Sequence, residues 1–186
     1  MKEEVYVSVD VEADGPIPGP HSMLSLGAAA FTADGKMLGT FSDNLELLEG
    51  AVGHPDTMQW WKTQPEAWAS CRKSPKEPSA VMTAFAKWVQ NLPGKPVFIG
   101  YPATYDFMFT YWYLIKFTGA SPFSHSGLDI KTFAMFMMGT DYRASTKKRM
   151  PARWFSNAPH THVAVADAIE QGQLFINMLK EHKGIK

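Results

Sequence analysis

The stretch Val5-Tyr6-Val7-Ser8-Val9-Asp10-Val11-Glu12 decides how the rest of the chain is read. Valine holds every odd position, while the even positions pass from Tyr6 and Ser8 to Asp10 and Glu12. That is the period of two expected of a β-strand, with one apolar face and a second face that turns acidic at its C-terminal end. The run Asp14-Gly15-Pro16-Ile17-Pro18-Gly19-Pro20 breaks regular structure, and Met23 to Phe31 and Met37 to Leu47, joined by the turn Asp34-Gly35, read as two further strands of an antiparallel meander. From Pro55 the texture changes. Met58-Gln59-Trp60-Trp61 and Pro65 to Ala69 suggest short helices, and Ser79 to Leu92 carries Val81, Met82, Phe85, Trp88 and Val89 at helical spacing behind Ser79 as N-cap. Pro96 to Gly100 is a short apolar strand, and Tyr105 to Phe117 a helix with aromatics on every side. Gly127-Leu128-Asp129 ends another strand, with a helix over Ile130 to Met138 for which Asp129 is the N-cap. A last helix runs from about Val163 to Lys183, and the loop from Gly139 to Pro159 carries no assignment. A meander followed by strand-helix alternation predicts an α/β or α+β layered sheet with helices on its faces.

The 186 residues are 45% hydrophobic and 19% charged, enough for one well-packed core and too few for two ordinary ones, so a single domain over residues 1–186 is expected. Lys plus Arg is 18 and Asp plus Glu is 18, a balance that excludes holding polyanions by bulk positive charge. Any nucleic-acid contact must be local. A single cysteine, Cys71, and a start without the apolar run of a secretory signal fit a reducing, cytoplasmic compartment. No stretch approaches the roughly 20 apolar residues of a membrane-spanning helix.

Three groups of residues carry chemistry. Asp10 and Glu12, two apart on one strand, point the same way with about 6.6 Å of rise between them, so both reach one hard cation unless they are simply a solvated acidic strand end. Asp106 is the sole acid between Tyr101 and Phe117. It either meets a cation or donors there, or favours the positive end of its helix. His162 and Asp167 lie five apart, about 140° on a helix, and share one site only if His162 sits in the loop just before it. Histidine is the side chain best suited to take a proton from water near neutral pH.

In this order the residues resemble the DEDDh group of 3′-to-5′ exonucleases, which includes ribonuclease T and oligoribonuclease. Ser8-Val9-Asp10-Val11-Glu12-Ala13-Asp14-Gly15 matches that family's Asp-x-Glu-x-x-Gly pattern, and His162-x-Ala164-x-x-Asp167-Ala168 matches its last motif. The middle block keeps Gly100, Ala103, Tyr105, Asp106 and Phe109 but has Tyr101-Pro102 in place of the usual His-Asn, which removes an amide side chain and a backbone donor. The similarity spans about Val5 to Gln173 and implies a ribonuclease H-like α/β fold, a mixed sheet with antiparallel opening strands and helices on both faces.

The resemblance implies a metal-dependent exonuclease that hydrolyses single-stranded nucleic acid from the 3′ end to nucleoside 5′-monophosphates, with RNA favoured over DNA. It implies two divalent cations, Mg²⁺ or Mn²⁺, held by Asp10, Glu12, Asp106 and Asp167, with His162 as general base. Such an ion pair, about 3.5–4 Å apart, stabilises both oxygens of an in-line displacement. Without cations the acids repel each other, so the site is expected to be protonated or partly disordered. His160 is a rival base whose spacing to Asp167 does not fit. Gly15, Tyr105 and Phe109 are the motif residues expected to contact substrate. Of the adjacent Trp60 and Trp61, one is expected in the core and the other outside, with Trp61 taken as the candidate that stacks a base. Lys147-Lys148-Arg149, flanked by Arg143 and Arg153 and followed by Trp154-Phe155, is the one dense basic patch and a candidate strand guide. Asp129 is read as a cap rather than a fifth ligand, and Cys71 as inert. Exposed aromatics and methionines permit a homodimer. The other readings are an enzyme restricted to very short oligonucleotides, and a non-catalytic nucleic-acid-binding module on the same fold.

Overall fold

Five strands, β1 (Glu4–Ala13), β2 (Met23–Thr32), β3 (Met37–Asn44), β4 (Lys95–Gly100) and β5 (Gly127–Asp129), form one sheet in the order β3-β2-β1-β4-β5. The computed structural model describes residues 3–156 and 161–184 of the chain. β1 pairs antiparallel with β2 and β2 with β3, whereas β1 with β4 and β4 with β5 are parallel. The opening meander and the later strand-helix units are thus both present, joined through the central strand β1.

The alternation in β1 has a different cause from a wet acidic face. The valines pack on α3 (Pro78–Gln90) and α4 (Ala103–Thr118), against Val81, Met82, Phe85, Phe109 and Tyr113. Tyr6 lies in a second core with α5 (Ile130–Met138) and α6 (Ala164–Lys183), against Leu174, Phe175 and Ile176. Helices therefore cover both faces, as the parallel half of the sheet requires. Only the C-terminal end of β1 remains for chemistry.

Two short helices, α1 (Pro55–Trp61) and α2 (Pro65–Cys71), form a small third cluster around Leu24, Trp61, Ala67 and Cys71. The thiol of Cys71 is buried and pushed up to about 12 by that burial, which keeps it unreactive.

Several boundaries differ from expectation. The N-cap of α3 is Glu77, whose carboxylate accepts from Ala80 N–H at 2.9 Å, and not Ser79. Pro78 has no N–H to lose and a helical φ, so the helix begins with it. β3 stops at Asn44, because the Asn44 amide donates to the carbonyls of Ser70 and Lys73 and the chain turns out of the ladder. The unassigned loop contains two 3₁₀ turns, Lys147–Arg149 and Ala152–Trp154.

Candidate active site

At the acidic end of β1 three elements meet. Asp10 lies opposite Gly27 of β2 and Glu12 opposite Ser25. Gly27 must be glycine, because α6 starts against it: a Cβ there would come within 2.1 Å of the backbone carbon of Ala164. That close approach sets the first turn of α6, with Asp167, beside the end of β1. The β1–β4 ladder ends at the pair Ser8 and Ile99, so the N–H of Val11 is left beyond β4 and donates to the Asp106 carboxylate at 3.2 Å. Asp106, in the first turn of α4, is thereby docked on the residue between Asp10 and Glu12.

Electrostatics mark the same place. Burial, reinforced by the charges of Asp106 and Asp167, raises Asp10 well above the usual carboxylate range. Glu12 is pushed up to about 9 by burial and by Asp10 and Asp167. Burial also raises Asp106, with the Val11 N–H opposing it. Acids held together out of water take up protons or a cation. Among the described residues, Glu12, His162 and Asp167 each offer an atom within 4.8 Å of the others that is able to hold a metal ion.

His162 lies in the turn before α6, not on it. Its φ is 54°, and the turn is closed by Thr161 N–H, which donates to Asp167 Oδ1 at 2.8 Å. This removes the 140° offset that a continuous helix would impose. The Trp60 ring meets the imidazole edge-on, with centroids 5.1 Å apart. Trp60 is 39% exposed, whereas Trp61 is 2% exposed and its indole donates to the Ala13 carbonyl at 3.0 Å. Trp61 is therefore a strut under the end of β1 with no face for a base, and of the two tryptophans it is Trp60 that meets His162. His160 lies outside the described residues.

Asp10, Val11, Glu12, Tyr101, Pro102, Tyr105, Asp106 and His162 line a cavity of about 440 Å³. The Tyr105 hydroxyl donates to the Gly15 carbonyl at 3.0 Å, tying α4 to the loop after β1. Two residues expected to touch substrate do not line this cavity. Phe109 is wholly buried in the core, and Gly15 is buried under the His21 ring, which a Cβ would meet at 2.2 Å. The basic patch also divides. Arg153, itself exposed, forms a two-pronged pair with Glu181, and Lys147 is paired with Glu170 of α6, which leaves Arg143, Lys148 and Arg149 as the exposed members outside these two ion pairs. Asp129 accepts from Thr132 N–H at 2.6 Å and from Ala103 N–H at 2.9 Å, so it caps α5 and steadies the start of α4.

A family profile described as a 3′-5′ exoribonuclease Rv2179c-like domain matches residues 5–179. The chain belongs to this family. It is a 3′-5′ exonuclease, and so a phosphodiester hydrolase. It is 28% identical over 186 residues to the 3′-5′ DNA exonuclease Cap18 of Escherichia coli, covering 97% of this chain and 96% of that one. The nuclease domain of 3′hExo, a DEDDh family member solved with rAMP bound, superposes with a TM-score of 0.71 at 10% identity, covering 98% of this chain and 94% of that one. E. coli exonuclease I in complex with a dT13 oligonucleotide gives 0.69 at 15% identity, over 97% of this chain and 41% of that one. The fold is accordingly the ribonuclease H-like fold of the DEDDh exonucleases. No helix among the described residues is long and apolar enough to cross a membrane.

Proposed function

We propose that this exonuclease removes nucleotides singly from the 3′ end of single-stranded nucleic acid, RNA in preference to DNA, and releases nucleoside 5′-monophosphates with two divalent cations, Mg²⁺ or Mn²⁺. The observation that carries the reading is the meeting of Asp10, Glu12, Asp106, Asp167 and His162 at one end of β1. The donor set fits such ions. It consists of hard oxygens, and burial has made three of the acids poor at bearing charge without a counter-ion. Asp10, Glu12, Asp106 and Asp167 would hold them, directly or through water. When bound, a pair of ions supplies stabilisation of both the attacking and the leaving oxygen of an in-line displacement.

The chain's own part is proton transfer and positioning. A ring nitrogen of His162 takes the proton of the attacking water, whose oxygen bonds to phosphorus while the bond to the 3′ oxygen of the preceding nucleotide breaks. The departing 3′ oxygen takes a proton from solvent water, and the products are a 5′-monophosphate and a strand with a new 3′-hydroxyl. Trp60, exposed and edge-on to His162, is the aromatic available to the terminal base. The preference for RNA is supported by the family description, while the E. coli relative is described as acting on DNA. A digestion panel of labelled RNA and DNA strands, from dinucleotides to long oligomers with Mg²⁺ or Mn²⁺, decides it. Stepwise shortening of RNA ahead of DNA is expected, with a 3′-phosphate blocking the reaction. Cleavage of circular strands would overturn the reading.

A further inference from the structure

Tyr101, which stands where a histidine is usual in the DEDDh pattern, has a place in the structure that its sequence neighbours do not suggest. Its hydroxyl accepts from the backbone N–H of Lys147 at 3.2 Å and donates to the Ser145 carbonyl at 3.4 Å. Its ring lies 5.2 Å from the ammonium of the same lysine, a cation–π contact. That ammonium is also ion-paired with Glu170, a buried residue one turn beyond Asp167 on α6. Lysine loses rotamer entropy when it is fixed, so one held by a ring, an anchored backbone and a buried carboxylate has its ammonium placed rather than left in solvent. Lys148 and Arg149, the next two residues, are exposed. Tyr101, which holds Lys147, also lines the cavity that Asp10, Glu12, Asp106 and His162 share, so the lysine sits directly behind a wall of the site.

We propose that Lys147 binds the phosphate that is hydrolysed, and that Tyr101 is its positioning residue. The proposal rests on the exonuclease reading above. An ammonium has three donors and Glu170 takes one, so a phosphate oxygen in the cavity is a matched acceptor for another. In a cavity lined by acids, a fixed cation offsets the repulsion that a phosphate diester meets. Glu170 keeps the lysine aimed.

The test separates this role from that of a strut joining the loop to α6. Lys147→Met should lower kcat/KM by the same factor, about tenfold or more, on a dinucleotide and on a long strand, because both contain the phosphate under attack. Lys148→Ala with Arg149→Ala should affect the long strand only. Lys147→Arg, which keeps the charge, should recover part of the loss. Tyr101→Phe should cost less than Lys147→Met, and the double variant should be no worse than Lys147→Met alone, since Tyr101 acts through the lysine. In calorimetry with Ca²⁺ present, the wild type should bind 5′-AMP more tightly than adenosine, and Lys147→Met should erase most of that difference. A loss confined to long strands, an unchanged preference for 5′-AMP over adenosine, or full additivity of the two substitutions would each overturn the proposal while the wild type remains active. An inactive wild type would instead overturn the exonuclease reading.

Discussion

With its acid pushed up to about 9, Glu12 keeps a proton in the native state over a range in which the unfolded chain, near the ordinary value of 4.5, has lost it. Folding then takes up a proton, so the contribution of this group to metal-free stability is full below about pH 4.5 and is lost as pH rises through about 9. Asp10 and Asp106 are shifted the same way, mainly by burial, and act with the same sign. The Tm of metal-free protein should therefore fall from pH 5 to pH 9. Glu12→Gln should flatten that fall, and saturating Mg²⁺ should restore stability most at the alkaline end. A thermal melt series over pH checks both, and a flat metal-free profile would contradict the electrostatic account. Asp10→Ala or Asp167→Ala should abolish turnover and weaken metal binding without unfolding the protein, measured by activity beside a melt. His162→Ala should cost about 10²- to 10⁴-fold in rate while metal affinity, read by titration, stays near wild type, because the imidazole is assigned to the water.

Those side chains act together only because elements bring them close, and the contact between Gly27 and α6 is the tightest of these arrangements. Gly27→Ala should displace the start of α6, carrying Asp167 and the His162 turn with it. The expected cost is about 1–3 kcal/mol of stability, the usual result of overpacking, with a larger proportional loss of activity. Denaturant titration beside a rate measurement checks this, and a stable variant of full activity would show that α6 is not what places Asp167. Much at this scale was legible in the chain. The period of two in β1 and its acidic end follow from local chemistry, as does α5 from Ile130 to Met138 with Asp129 as its cap. Less legible was whatever depends on contacts distant in sequence. Trp60 and Trp61 differ only in which one reaches the Ala13 carbonyl, 48 residues from Trp61, and that bond sends Trp61 inward. Lys147 reads as one of three equal cations until Glu170, 23 residues on, removes it from the exposed set. Phe109 and Gly15 belong to the motifs, but motif membership does not separate a residue that touches substrate from one that supports the wall.

Across the whole molecule the formal charge is zero, so attraction of a polyanion rests on where the exposed cations lie rather than on their number. Once Lys147 is committed to Glu170 and Arg153 to Glu181, the exposed cations left in the segment leading toward His162 are Arg143, Lys148 and Arg149. Lys148 and Arg149 adjoin the cavity rim, because Tyr101, which lines the cavity, accepts from the backbone N–H of the residue just before them, so they are the cations expected to meet a strand beyond the cleaved phosphate. Each phosphate contact on a single strand contributes about 0.7 to the slope of log affinity against log salt, so Lys148→Ala with Arg149→Ala should flatten that slope by about 1.4 for long strands. Dinucleotide turnover should change little, because a dinucleotide has no upstream phosphate to present. Binding isotherms at four or five salt concentrations, on a dinucleotide and on an oligomer of ten or more nucleotides, test the two halves of this expectation. An unchanged slope on the long strand would reduce the pair to ordinary solvated loop residues, and an equal effect on the dinucleotide would place them at the phosphate that is cleaved.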